Sequence, residues 1–134
     1  MQSKPSFSLL RRVLAVDAVS SAAMGLGLLV LAPTLAPMLN LPLELLRDAG
    51  MILLPFAALV GYLASREQPA RAGVWTVIAL NAVWSVDSVL LLLSGWIEPT
   101  GLGYAFVIGQ AVVVGVFAEL EYLGLRRAAL PLAS

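Results

Sequence analysis

The stretch LNAVWSVDSVLLLLSGW, from Leu80 to Trp96, decides the class of this protein. It is apolar enough to cross a bilayer, yet it carries Asp87 near its middle. A membrane helix needs about 20 mostly apolar residues, and the apolar segment as a whole runs from about residue 74 to residue 93. The segment therefore predicts a membrane-spanning helix, and Asp87 raises the question of what a carboxylate does inside it.

The composition of the whole chain agrees with a membrane location. Of the 134 residues, 60% are hydrophobic and 12% are charged, whereas a soluble domain is about half apolar and about a quarter charged. Eight basic and eight acidic residues cancel, so no bulk charge indicates a nucleic-acid partner. A chain of this length predicts one domain. We therefore expect residues 1–134 to form a single integral membrane domain whose main partner is the lipid bilayer.

Four apolar segments predict α-helices, separated by residues that break helices. The connections contain Pro33, Pro37, Pro69 and Pro99, and the stretch LPLELLRDAG before the second segment could extend that helix upstream. The predicted fold is all-α, a bundle of four transmembrane helices. The predicted helices cover about residues 13–31, 49–64, 74–93 and 102–123.

The basic residues predict the orientation of this bundle. With four spans, one side of the membrane holds both terminal segments and the middle loop. That side carries seven basic residues and the other side carries only Arg47. Cytoplasmic loops are enriched in Lys and Arg, so both termini are predicted to be cytoplasmic. The seven residues are Lys4, Arg11, Arg12, Arg66, Arg71, Arg126 and Arg127.

Missing residue types exclude several kinds of chemistry. The chain has no Cys and no His, which excludes disulfides, thiolate sites and the commonest metal ligand. Lys4 in the N-terminal segment is the single lysine. We therefore predict no catalytic residue, no metal site and no cofactor, and we expect that the protein is not an enzyme.

Polar residues in the third and fourth helices predict a site within the membrane. An ionised Asp87 at this depth would cost on the order of 3 kcal/mol, so its side chain is expected inside the bundle. Gln110 on the fourth helix lies at a similar predicted depth and is the expected hydrogen-bond partner. Asn81, Ser85 and Ser88 form a second polar stripe on the third helix, at helical spacing.

Three further acidic residues are predicted near the cytoplasmic ends of their helices. Asp17 follows Arg12 by five positions, and Glu119 and Glu121 precede the pair Arg126 and Arg127. One interpretation places these carboxylates at the interface, paired with arginines whose side chains reach back along the helix. The other treats Asp17 as a titrating group inside the membrane.

Two functions are compatible with this pattern. The first is a structural or accessory membrane protein, in which buried polar groups hold helices together and the chain forms a homo-oligomer or joins a larger membrane complex. The second is a small proton- or cation-coupled transporter that uses Asp87 or Asp17. A polar cavity that reaches Asp87 from either face of the membrane would favour the transporter, and a dry, fully packed Asp87 would favour the structural role.

The stretches GLGLLVLAP, Gly25 to Pro33, and LPLELLRDAG, Leu41 to Gly50, resemble those of small bacterial four-span proteins loosely called DoxX-like. The resemblance is one of overall layout and includes no catalytic motif. It implies a four-helix bundle in the bacterial inner membrane.

Overall fold

The computed structural model describes residues 6–129, which form four α-helices and no strand. They are α1 (Ser8–Leu39), α2 (Leu43–Ser65), α3 (Arg71–Leu93) and α4 (Gly101–Ala129). Helix α1 packs closely against α2 and α4, and α3 packs against α4. Helices α2 and α3 make little contact with each other. The predicted all-helical bundle is confirmed, and it has an open side between α2 and α3.

Helix α1 is longer than the sequence predicts, because Pro33 and Pro37 do not end it. Both prolines lie inside the continuous helix. Proline removes one backbone donor, but membrane helices tolerate it when neighbouring groups satisfy the freed backbone. Near this end, the Thr100 amide donates to the Leu39 carbonyl at 3.1 Å and the Thr100 hydroxyl donates to the Met38 carbonyl at 3.0 Å. The connection before α4 therefore satisfies the end of α1.

The turn that ends α1 depends on Asn40. Its backbone is left-handed, with φ 51° and ψ 50°, a conformation that asparagine tolerates better than most residues. The Leu41 amide donates to the Ala36 carbonyl at 3.0 Å, as in a Schellman-type helix end. The Asn40 side chain donates to the Glu98 carbonyl at 2.6 Å, which ties this turn to the α3–α4 connection.

Glycines allow two helix pairs to approach closely. A Cβ atom on Gly50 of α2 would lie 2.8 Å from the Gly25 carbonyl oxygen of α1, and one on Gly124 of α4 would lie 2.8 Å from the Leu10 Cα atom of α1. Both distances are shorter than a carbon atom can accept. Small residues at membrane-helix interfaces commonly permit such contacts, and here they place α2 and α4 on either side of α1.

The exterior of the bundle is strongly apolar. Leu93, Val30 and Val19 are at least 70% exposed, and many other large apolar side chains also face outward. Helices α1, α3 and α4 are each long and apolar enough to cross a membrane. Two buried apolar clusters fill the interior, one around Leu14 and Val60 and the other around Leu46 and Val107.

Candidate functional site

Four polar side chains form a buried cluster where α1, α3 and α4 meet. Asp17 is 1% exposed and Glu121 is fully buried. The Asn81 side-chain amide donates to Asp17 Oδ2 at 2.9 Å and to Glu121 Oε1 at 2.8 Å. Ser21 donates its hydroxyl to Asp17 Oδ1 at 3.0 Å. We call Asp17, Ser21, Asn81 and Glu121 the acidic cluster.

The helix periodicity explains how these residues meet. Asp17 and Ser21 are four positions apart on α1, so both point to the same face. Glu121 and Gly124 are three apart on α4, and Gly124 is the residue that lets α4 approach Leu10 of α1. The close contact therefore turns Glu121 toward α1 and toward Asn81 of α3.

One carboxylate oxygen of the acidic cluster has no hydrogen-bond donor among the described residues. An asparagine amide nitrogen carries two N–H groups, and Asn81 uses them on two different carboxylates. Both Asp17 oxygens and one Glu121 oxygen have partners, whereas Glu121 Oε2 is buried without a partner among the described residues. The cluster thus has one more carboxylate oxygen than its donors satisfy.

The expected pairing of these acids with arginines is wrong. Among residues 6–129 the one ion pair joins Glu44 to Arg47, at 3.7 Å. Arg11 donates instead to the Ala64 carbonyl at 3.3 Å. Asp17 and Glu121 face the bundle interior, where polar partners come from other helices, so the arginines remain outside. Glu119 is exposed and lies outside the acidic cluster.

A second polar network joins α3 to α4. The Trp84 indole N–H donates to Gln110 Oε1 at 2.8 Å, and Gln110 Nε2 donates to the Ser88 hydroxyl at 2.9 Å. Ser88 in turn donates to the Trp84 carbonyl at 2.7 Å. Ser85 lies nearby and donates to the Ala111 carbonyl at 2.8 Å. Gln110 is therefore satisfied by Trp84 and Ser88.

The predicted hydrogen bond between Asp87 and Gln110 is absent, so that prediction is wrong. Asp87 is exposed, so the expectation that its side chain lies inside the bundle is also wrong. No hydrogen bond or ion pair joins its side chain to another residue of the described range. Consecutive helix positions differ by about 100°, so when Ser88 faces α4, Asp87 turns away from it. Asp87 instead lies on the side of α3 that faces the gap toward α2.

A cavity of about 630 Å³ occupies this gap. Its walls come from all four helices and are mainly apolar, including Leu53, Phe56 and Leu91. Lining residues such as Ile52 and Val83 are themselves exposed, so the cavity opens sideways between α2 and α3. Six lining residues have polar side-chain groups: Ser21, Asn81, Trp84, Asp87, Ser88 and Gln110.

The residues predicted to form one site are divided between two hydrogen-bond networks and the cavity wall. Asn81 and Asp17 meet in the acidic cluster, Gln110 and Ser88 meet in the second network, and Asp87 stands alone in the cavity wall. Ser21 and Glu121 were not predicted to belong to such a site. A signal for Glu121 exists, because Ala111, Ala118, Glu121 and Leu125 recur at spacings of three, four and seven and are all buried. Glu119 does not fit this stripe.

Comparison with known proteins gives no relative: no family model, curated protein or solved structure matches the chain.

Proposed function

We propose that the chain is an integral membrane protein that crosses the bilayer four times, with both termini cytoplasmic. Helix α2 has 23 residues, which is about 35 Å of helix. It runs beside α1, with Gly50 against Gly25 of α1 near one end and the Ala64 carbonyl bonded to Arg11 at the other. Its exposed side chains include Met51 and Ile52. The seven-to-one distribution of basic residues supports the orientation. The resemblance of two sequence stretches to DoxX-like proteins is the basis for proposing the bacterial inner membrane.

Within that membrane we propose that it acts as a small proton-coupled transporter. One observation carries this proposal: Ser21 and Asn81 each hydrogen-bond Asp17 and each also line the α2–α3 cavity. The acidic cluster and the cavity therefore share a wall. Ionisable groups inside a membrane are candidates for proton relays, and a ligand in the cavity would lie against residues that hold the carboxylates.

The proton is expected on the pair Asp17 and Glu121. Two carboxylates that share one amide repel each other when both are ionised, because a low-dielectric interior screens charge weakly. No arginine contacts either of them within the described residues. One proton on the pair would remove the repulsion and would supply a donor that Glu121 Oε2 can use. We therefore propose that the pair binds one proton.

Asn81 provides the proposed coupling between proton and ligand. Both of its N–H groups are already used by carboxylates. A ligand that lies against Ser21 and Asn81 changes the surroundings of the two carboxylates, so ligand binding changes the affinity of the pair for a proton. By linkage, binding or loss of the proton changes the affinity for the ligand by the same factor.

A structural or accessory role is the second candidate, and the burial of the acidic cluster favours it. Asp17 and Glu121 are almost completely inaccessible to solvent, and the bonds of Asn81 join α3 to α1 and α4. In this role each bond would hold helices together and contribute about 0.6 kcal/mol. The cluster would then be closed to protons from outside.

Infrared spectroscopy separates the two candidates. We expect the purified wild-type protein in lipid to show the C=O band of a protonated carboxyl group that disappears as the external pH is raised. Glu121→Gln should abolish this titrating band, and Glu119→Gln, which changes an exposed acid two positions away, should retain it. A band that is absent, or that ignores external pH while the protein remains folded, contradicts the transporter proposal and favours the accessory role.

A further inference from the structure

The α2–α3 cavity has the features of a binding site for a small molecule. Its volume of about 630 Å³ lies inside the range of about 300–1,000 Å³ that is usual for ligand sites. Such sites combine apolar walls with a few polar groups that fix orientation. Here the walls are mainly aliphatic and aromatic, and Asp87 supplies the exposed carboxylate.

The position of Asp87 follows from the face of α3 that borders the cavity. Leu80, Trp84, Asp87 and Leu91 are three or four positions apart and all line it, so they form one helical stripe. Asp87 lies six positions before the end of α3 at Leu93, which is about 9 Å. Its carboxylate is therefore inside the apolar part of the helix and beside the cavity.

An ionised carboxylate in that position is stabilised by a positive partner. An ionised aspartate within the membrane is costly unless it is paired. No Lys or Arg lines the cavity, and the ion pair of Arg47 is made with Glu44. The acyl chain of a lipid would fill the apolar volume but would leave Asp87 unpaired. Charge complementarity therefore favours a cationic occupant.

The rest of the wall indicates an organic cation. Small inorganic cations such as Mg²⁺ and Ca²⁺ prefer several oxygen ligands, whereas Asp87 is the one carboxylate that lines this cavity. The walls also contain the rings of Phe56, Trp84 and Phe106. Aromatic rings attract cations through their faces and provide apolar contact to a bulky ligand.

We propose that the cavity between α2 and α3 binds lipophilic organic cations, such as aromatic quaternary amines, with Asp87 as the counter-charge. This inference rests on the proposed transport function for its biological meaning and names the class of substrate. The binding itself is an equilibrium property of the folded protein. It can therefore be measured whether or not the acidic cluster titrates.

The test is ethidium binding to the full-length protein in detergent, measured by fluorescence anisotropy. We expect saturable binding of one ethidium per chain. Asp87→Asn should weaken it about tenfold or more, because the charge pair is lost in a desolvated site. Asp87→Glu should restore most of the affinity, and Glu119→Gln should leave it unchanged. Thermal unfolding establishes that each variant is folded.

A variant of the cavity wall and an uncharged ligand provide two further tests of the cation site. Ala49→Phe, which adds a ring to the cavity wall without changing charge, should also reduce ethidium binding. Phenanthridine, the uncharged aromatic core of ethidium, should bind more weakly than ethidium to wild type. Equal binding of both molecules, or equal ethidium affinity in wild type and Asp87→Asn, would show that the charge of Asp87 does not select the ligand and would overturn the inference.

Ethidium binding and the titrating carboxyl band test the substrate class and the proton coupling separately. A wild-type protein that shows the titrating carboxyl band but no ethidium binding overturns the substrate class alone. One that binds ethidium through Asp87 but shows no titrating band supports the cation site and contradicts the proton coupling. A dimer in native mass spectrometry that Ala49→Phe dissociates would assign the cavity to a second copy of the chain and would overturn the inference.

Discussion

At the scale of single residues, Asn81 determines how two carboxylates are tolerated inside the bundle. Its two N–H groups reach Asp17 and Glu121, which belong to helices on either side of it. A buried polar group that loses its partner costs about 1–3 kcal/mol, and a charged one costs more. Replacing Asn81 is therefore expected to lower the free energy of unfolding by more than the loss of a single hydrogen bond would.

We predict that Asn81→Leu destabilises the protein by about 2–4 kcal/mol, because Asp17 loses one of its two donors and Glu121 loses the one it has. Unfolding in mixed detergent micelles measures the change. Thr76→Ala is the matched control, since the Thr76 hydroxyl bonds the Ala72 carbonyl of its own helix. In an Asp17→Asn, Glu121→Gln background the cost of Asn81→Leu should become smaller. An equal cost in both backgrounds would contradict the bridging role.

For Asp87 and Glu121 the sequence did not predict the direction in which the side chain points. Depth within an apolar segment singles out Asp87, but depth does not tell which way the side chain points. That direction depends on the gap between α2 and α3, which no local pattern encodes. Glu121 was predicted at the interface because Arg126 and Arg127 follow it, although its place on the buried stripe of α4 was visible in the spacing.

At the scale of helices, close glycine contacts fix the positions of α2 and α4 against α1. A side chain at Gly124 would meet backbone atoms of Leu10, and one at Gly50 would meet the Gly25 carbonyl and Leu29. Backbone cannot move aside as a flexible side chain can. A methyl group at either position must therefore separate the two helices.

We expect Gly50→Ala to destabilise the protein by about 1–3 kcal/mol through overpacking. Gly27→Ala is the control, because a Cβ atom there has no neighbour within 4 Å. This control should be neutral or slightly stabilising, since alanine favours helix over glycine by about 1 kcal/mol. Thermal unfolding in detergent compares the two variants. Similar melting temperatures would mean that the contact between α1 and α2 is not tight.

The left-handed turn at Asn40 gives a second prediction at this scale. Asn40→Ala should cost about 1–2 kcal/mol for the backbone conformation, in addition to the lost bond to the Glu98 carbonyl. Asn40→Gly loses the same bond but adopts positive φ without strain. The glycine variant should therefore have the higher melting temperature. The reverse order would show that the φ of this residue does not limit stability.

These elements also show how far the sequence predicts the helices. The four apolar segments predicted four helices, because length and hydrophobicity are local properties. The predicted end of α1 was wrong, because Pro33 and Pro37 lie inside the continuous helix, as membrane helices can tolerate. The helix ends at the turn of Asn40, where the Leu41 amide bonds the Ala36 carbonyl and the Thr100 amide bonds the Leu39 carbonyl. The contact with Thr100 joins segments that are distant in the sequence, so a local pattern does not reveal it.

At the scale of the whole molecule, the open side between α2 and α3 is the feature on which the proposed function depends. The other three neighbouring helix pairs pack along their lengths, whereas α2 and α3 meet closely near Leu63 and Gly73, beside their connection. The gap exposes Asp87 and brings the cavity to the acidic cluster. The proposed function therefore depends on the missing contact between α2 and α3 as well as on the contacts that form the bundle.

The orientation of the whole bundle is open to a direct test. We predict that reporter enzymes fused to the N-terminus and the C-terminus both report the cytoplasm, because seven basic residues belong to that side. A fusion after Asn40, between α1 and α2, should report the opposite side. Opposite signals from the two termini would indicate an odd number of spans and would contradict the four-span proposal.

The central claim is that the acidic cluster couples protons to a ligand in the cavity, and ethidium entry into proteoliposomes tests it most directly. With DNA inside the vesicles to report entry, an imposed pH gradient should change the initial rate for wild-type protein. Glu121→Gln should still bind ethidium but should show no response to the gradient, and Glu119→Gln should respond like wild type. A wild-type rate that is the same with and without the gradient, and equal to that of Glu121→Gln, would contradict the claim.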